Sequence, residues 1–183
     1  MSEATTLPLS RRQVAMYRGG LVLFLASEGM LFVTTIAVRF VLAGTGRSDR
    51  LNQPLVALLM AVLVVSVWSA RRASSTARRE PARAVPWALA TSALAAVVLL
   101  GFAVEWATVG LAPGSRYGEV FYLALGLDVA HVTAGLLVWL GFAVQAARGR
   151  LAAQTGFLSE GVSIFWTFVV AASLAMWFAF YVV

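Results

Sequence analysis

Five apolar runs, at about 19–42, 51–70, 85–109, 117–147 and 160–183, constrain this chain more than any other feature. Each is long enough to cross the roughly 30 Å hydrocarbon core of a bilayer, which takes about 20 helical residues. Lipid cannot satisfy bare backbone N–H and C=O groups, so each run is predicted to be a helix with its bonds closed internally. Strands of a membrane barrel would alternate apolar and polar residues over about ten positions, and these runs do not. Composition agrees: the chain is 61% hydrophobic and 12% charged, with a mean hydropathy of +0.85. An ordinary soluble domain is about half apolar and about a quarter charged. The expected fold class is all-α, a polytopic membrane protein built as a bundle of five transmembrane helices. An N-terminal tail occupies 1–18 and the transmembrane domain 19–183. The fourth run is long and is expected to tilt or to project beyond the bilayer.

The connecting segments set the orientation. The tail carries Arg11, Arg12 and Arg18, the second loop Arg71, Arg72, Arg78, Arg79 and Arg83, and the fourth Arg148 and Arg150. These ten face three in the first and third loops, namely Arg47, Arg50 and Arg116. The positive-inside rule then places the N-terminus in the cytoplasm and the C-terminus outside. The net charge of +6 comes from fourteen Arg and no Lys, confined mostly to these short loops. Anionic lipid headgroups suit that distribution, and nucleic acid does not. The first run is longer than a signal-peptide core and no small-x-small site follows it before Arg39, so it is expected to be retained. Trp68, Trp87, Trp106 and Tyr117 fall near span ends, as an interfacial aromatic belt requires. Pro86 is expected in the first turn of the third helix, leaving every span free of interior proline, and Pro113–Gly114 reads as a turn.

Four ionisable residues lie well inside the spans: Glu28, Glu105, Asp128 and His131. Arg39 and Glu119 are near outer ends and are expected to reach the headgroups, and Glu160 opens the fifth helix at the inner face. Glu28 falls near mid-membrane, where a bare carboxylate costs about 2.5–3.5 kcal/mol on insertion scales. Asp128 and His131 are three apart on one helix face at similar depth, so both can meet Glu28 across a helix seam. Two roles fit this cluster. It can be a polar clamp between helices, or it can handle a proton or a ligand. Glu105, close to the outer face, reads as structural or lipid-contacting.

No cofactor or metal site emerges. There is no cysteine, and His131 is the single histidine, so a bis-imidazole haem is excluded. A carboxylate di-metal centre needs Glu-x-x-His pairs on facing helices, and Asp128-x-x-His131 occurs once. Phosphate-binding, dinucleotide and hydrolase motifs are absent. No catalytic residue is assigned.

Three segments together resemble subunit III of the haem–copper oxidases in its five-helix form. FLASEGMLFVTTIAVRF at 24–40 is similar to the family's Ser–Glu pair with a following Met and aromatic, through Ser27, Glu28 and Phe32. LLGFAVEWATVG at 99–110 matches the family's Glu–Trp/Tyr ending through Glu105 and Trp106, although Gly101 and Phe102 are adjacent where the family spaces them. GLDVAHVTAG at 126–135 resembles Gly-x-His-x-x-His-Val-x-x-Gly, through Gly126, His131, Val132 and Gly135. Two departures mark a divergent member. Asp128 replaces the first histidine of that motif. In the last helix, Trp166, Phe168 and Val169 persist while Thr167 and Val170 stand where the family has His and Asp.

The resemblance implies a non-catalytic subunit of a cytochrome c or quinol oxidase in aerobic respiration, in a bacterial plasma membrane. Haem and copper would belong to the partner subunit I, accompanied by subunit II. The role implied is to stabilise subunit I, bind phospholipids, and support proton uptake or oxygen entry. Glu28, Glu105 and His131 would inherit family positions. Two alternatives stay open at this point: the accessory subunit of a nitric oxide reductase complex, and a small membrane transporter or channel.

Overall fold

The computed structural model describes residues 10–149, 151 and 156–183. Most of the expected tail (1–9) and Arg150 of the fourth loop lie outside the described residues. Among them there is no strand, and five helices are long and apolar enough to cross a membrane. These are α1 (Arg11–Ala43), α2 (Gln53–Ala77), α3 (Pro81–Thr108), α4 (Arg116–Ala147) and α5 (Gly156–Trp177), with a π-helical turn, Phe178–Val182, closing the chain.

Local chemistry explains where each helix begins and ends. α1 starts ahead of its apolar run because Ser10 and Gln13 form a capping box, each side chain bonding the other's backbone N–H. It stops at Gly44, whose φ of 72° a side chain would disfavour. Asn52 caps α2 by accepting the Leu55 N–H at 3.2 Å, and Ser115 caps α4 by accepting the Gly118 N–H at 3.1 Å.

α3 corrects the expectation for Pro86. The helix begins at Pro81, so Pro86 lies inside it. It has no N–H for the carbonyl four residues back, Ala82. Both residues are exposed near the helix end, where water or headgroups can satisfy that carbonyl.

α2, α3, α4 and α5 form a ring in which each helix touches two neighbours, and α1 lies outside it against α4 and α5. Small residues allow the close approach of α2 and α3, with Ser66, Ser69, Ala70 and Ala73 facing Ala84, Ala88, Thr91, Ser92 and Ala95 in buried positions. Ser69 and Thr91 hydroxyls bond across this seam at 2.7 Å. Two fully buried tryptophans, Trp139 and Trp166, fill the interior of the ring. The Trp166 indole N–H donates to Ser66 Oγ at 2.9 Å, joining α5 to α2. On α4, a Cβ at Gly135 would overlap the Trp166 ring, so the glycine makes room for the indole.

α1 buries little. Phe32, Thr35 and Arg39 are its buried residues, at intervals that form one stripe toward the ring. The remaining faces carry exposed apolar side chains such as Leu23, Met30, Val33 and Val41, as lipid contact requires.

Candidate polar seam within the membrane

Glu28 and His131 meet across the α1–α4 seam, Glu28 Oε2 lying 3.0 Å from His131 Nε2. Their side chains are 22% and 12% exposed, so the pair sits at the edge of the bundle and is largely screened from its surroundings. The second ring nitrogen fixes the proton arrangement. His131 Nδ1 is 2.9 Å from the Leu127 carbonyl, which can only accept, so Nδ1 carries a hydrogen. Nε2 then has two options. Either it accepts from a protonated Glu28, or it donates as an imidazolium to a Glu28 carboxylate. Both forms hold the same number of protons and have no net charge, with one proton lying between Oε2 and Nε2. An electroneutral pair is what a low-dielectric setting tolerates. Phe32, one turn from Glu28, packs edge-on against the imidazole at 4.8 Å and also against Phe168 of α5 at 6.1 Å.

Asp128 does not join this pair. It is buried, and its Oδ1 accepts from the Ser173 hydroxyl of α5 at 2.7 Å. A separation of three residues turns about 60° around a helix, given 3.6 residues per turn. That rotation is enough for His131 to face α1 while Asp128 faces α5. The expected three-residue cluster is thus two separate links, α1–α4 and α4–α5.

Glu105 is fully buried and faces the bundle instead of lipid. Its Oε1 accepts from the Asn52 backbone N–H at 3.2 Å and from the Tyr181 hydroxyl at 3.1 Å. One carboxylate therefore ties α3 to the start of α2 and to the π-helical turn.

Arg39 departs from expectation. It was expected at the headgroups, yet it is 0% exposed. The segment after α1 folds back over it, and the guanidinium donates to the carbonyls of Gly44 and Gly46. The rings of Phe40, Tyr117 and Phe180 surround it at 4.9, 5.4 and 5.8 Å. Cation–π attraction and backbone carbonyls take the place of water. Glu119 is exposed. Glu160 pairs with Arg18 at 3.0 Å, linking the N-terminal ends of α1 and α5.

Sequence reasoning missed Ser173, Tyr181 and the Ser66–Trp166–Gly135 contact. Ser173 and Tyr181 are the polar groups in the otherwise apolar stretch 168–183, and that is the available signal for both.

Fold and polar links together define a polytopic membrane protein of five helices. Its buried polar groups link helices to one another, and no group of three or more metal-ligating His, Asp or Glu residues gathers among the described residues. No family model matches the chain. Curated relatives do. It is 27% identical over 172 residues to the "Probable cytochrome c oxidase subunit 3" of Mycobacterium leprae (strain TN), covering 88% of this chain and 85% of that protein. It is 25% identical over 175 residues to the "Cytochrome c oxidase subunit 3" of Corynebacterium diphtheriae, with the same coverage of 88% and 85%. A third relative, from Mycobacterium tuberculosis (strain ATCC 25618 / H37Rv), is 27% identical over 173 residues. The similarity runs along most of both chains and supports the resemblance to subunit III of the haem–copper oxidases, as a divergent relative.

Proposed function

We propose that this chain is the non-catalytic subunit III of a haem–copper terminal oxidase in aerobic respiration. It works in a bacterial plasma membrane beside subunits I and II, with haem and copper held by subunit I. The observation that carries this reading is the convergence of the matched segments. Glu28 and Phe32 of the first segment meet His131 of the third, and Gly135 of the third meets Trp166 of the last helix. Residues of the first and third matched segments and of the last helix thus meet in space, in a chain whose relatives carry the subunit 3 name. The chemistry of the seam suits a supporting subunit. A neutral, proton-sharing pair and buried hydrogen bonds hold helices in register, so that the bundle can stabilise subunit I, bind phospholipid and support proton uptake or oxygen entry.

The test is purification of the chain, tagged at one end, in mild detergent. A haem-bearing partner that consumes oxygen is expected to come with it, and the chain stripped from that partner is expected to show no Soret band. A tagged chain that runs alone, or that brings down a nitric-oxide-reducing complex, would refute the assignment.

The same reading places the N-terminus in the cytoplasm, supported by the ten Arg against three in the loops and tail. Reporter fusions at each end are expected to report a cytoplasmic N-terminus and an external C-terminus. A cytoplasmic signal from the C-terminal fusion would reverse the orientation or the span count.

A further inference from the structure

Ser74, Ser75 and Thr76 follow the pair Arg71–Arg72 in the last turns of α2, and Arg78 and Arg79 come directly after the helix. We propose that Ser75 is a phosphorylation site for a serine kinase that reads the preceding arginines, with the phosphate then held by Arg72, Arg78 and Arg79.

The fold selects one of the three hydroxyls. Ser74 has arginine both two and three residues before it, but it is only 4% exposed. Thr76 is half-buried. Ser75 is exposed, and has arginine three and four residues before it. Its hydroxyl donates to the Arg72 carbonyl at 3.0 Å, which leaves the oxygen lone pairs facing outward. Depth allows access. Ser75 lies about 33 Å along α2 from Gln53 at about 1.5 Å per residue, past the end of a hydrocarbon core roughly 30 Å thick. Trp68, two turns earlier, is exposed and marks the interface. The proposed orientation puts this corner in the cytoplasm, where ATP is available. A kinase takes its substrate extended, and α2 ends at Ala77, so only the last turn has to open.

The surroundings of Ser75 suit the product. It opens onto a surface pocket of about 680 Å³ shared with Arg72, Arg78, Arg79, Arg83 and Glu80. Glu80, the one carboxylate there, is engaged by Arg83 at 2.7 Å. Among the described residues, Arg72, Arg78 and Arg79 form no ion pair. Arg72 precedes Ser75 by one helical turn and Arg78 follows it by one, with helical backbone angles kept at Arg78. A phosphate on Ser75 carries close to two negative charges and can accept up to about three charge-assisted bonds from such a cluster. The arginine fork binds its oxygens in pairs. The carbonyl end of α2 repels an anion, but that effect is screened and confined to the last turn. Full guanidinium charges outweigh the partial charge of a helix end. The phosphate would therefore tie the end of α2 to the turn that leads into α3.

In the reaction the Ser75 oxygen bonds to the γ-phosphorus of ATP as the bond from that phosphorus to the bridging oxygen breaks. The hydroxyl proton passes to the kinase's base and ADP leaves. The inference goes beyond the oxidase reading and does not depend on it. The test uses the full chain in detergent, with whatever partners accompany it, so that both faces are accessible. It is treated with ATP, Mg²⁺ and a purified serine kinase that requires arginine three residues before its target. The folded chain is expected to gain about 80 Da, the mass of one phosphoryl group, with fragmentation placing it on Ser75. Ser75→Ala, which alters an exposed side chain, is expected to take no label, and Ser74→Ala to be labelled like wild type. A synthetic peptide of residues 68–83 lacks the burial and is expected to be labelled on Ser74 as well. In the folded chain, the phosphate is expected to slow tryptic cutting after Arg78 and Arg79 by more than it does in the peptide, and a phosphatase to restore it. An unlabelled folded chain would overturn the site, as would label on Ser74 of the folded chain or in Ser75→Ala. Tryptic cutting slowed no more than in the peptide would overturn the arginine cradle.

Discussion

Gly135→Ala is expected to destabilise the bundle by about 1–3 kcal/mol, the usual cost of forcing a methyl group into a filled core. A Cβ at this position would overlap the six-membered ring of Trp166. The indole cannot move aside cheaply, because it is fully buried and its N–H is committed to Ser66 Oγ at 2.9 Å. Gly141 on the same helix is the control. Nothing lies within 4 Å of a Cβ there, and alanine is the better helix former, so Gly141→Ala should be neutral or slightly stabilising. Thermal unfolding of the purified protein in detergent, followed by loss of the monodisperse species, distinguishes the two. Trp166→Phe in the Gly135→Ala background should recover part of the loss. The coupling between the two positions should exceed the few tenths of a kcal/mol seen for distant sites. Equal melting for the Gly135 and Gly141 variants would show that the glycine–indole contact does not set the α4–α5 spacing.

Glu28→Ala is expected to loosen α1. It leaves His131 Nε2 without its partner at a site only 12% exposed, a penalty of about 1–3 kcal/mol. The consequence is large because α1 has few other holds, with Phe32, Thr35 and Arg39 as its buried residues. Glu28→Gln behaves differently. Its amide N–H can donate to a neutral His131 Nε2, so the link survives while the shared proton site is lost. On the clamp reading, the complex carrying Gln assembles normally and turns over at nearly the wild-type rate. On the proton-handling reading, Gln assembles but slows oxygen consumption or shortens the active lifetime. Subunit content on a gel, beside oxygen consumption followed to inactivation, separates the two roles. Wild-type assembly with Glu28→Ala would rule out the clamp.

Much of this arrangement was legible in the residues. Span length and closed backbone bonding give five helices from hydropathy alone, and the cost of burying a carboxylate pointed to a partner for Glu28. Depth along each helix then brought Glu28 and His131 together. What sequence does not encode locally is helix rotation. Asp128 and His131 share a face only to within the turn separating them, and α1 and α5 occupy the two sides of that turn. Arg39 shows a different limit. Its position near a helix end allows it to reach outward to headgroups or to be covered from above, and the choice is made by the backbone carbonyls of Gly44 and Gly46 after the helix stops. Pro86 was misplaced because hydropathy marks the membrane-embedded part of a helix, while Pro81 starts the helix before that part begins.

The placement of α1 outside the ring has a consequence for synthesis. α1 is made first, but the helices that hold it, α4 and α5, are made last. Glu28 and His131 are 103 residues apart in the chain. At about 5–20 residues per second of translation, roughly five to twenty seconds separate them. Throughout that interval the carboxyl group sits in the bilayer or the insertion machinery with no imidazole to share its proton. The first helix of the chain is therefore the last to find its place, and a nascent subunit is most exposed to quality control while that span, with its unpartnered carboxyl group, is still waiting for the fourth.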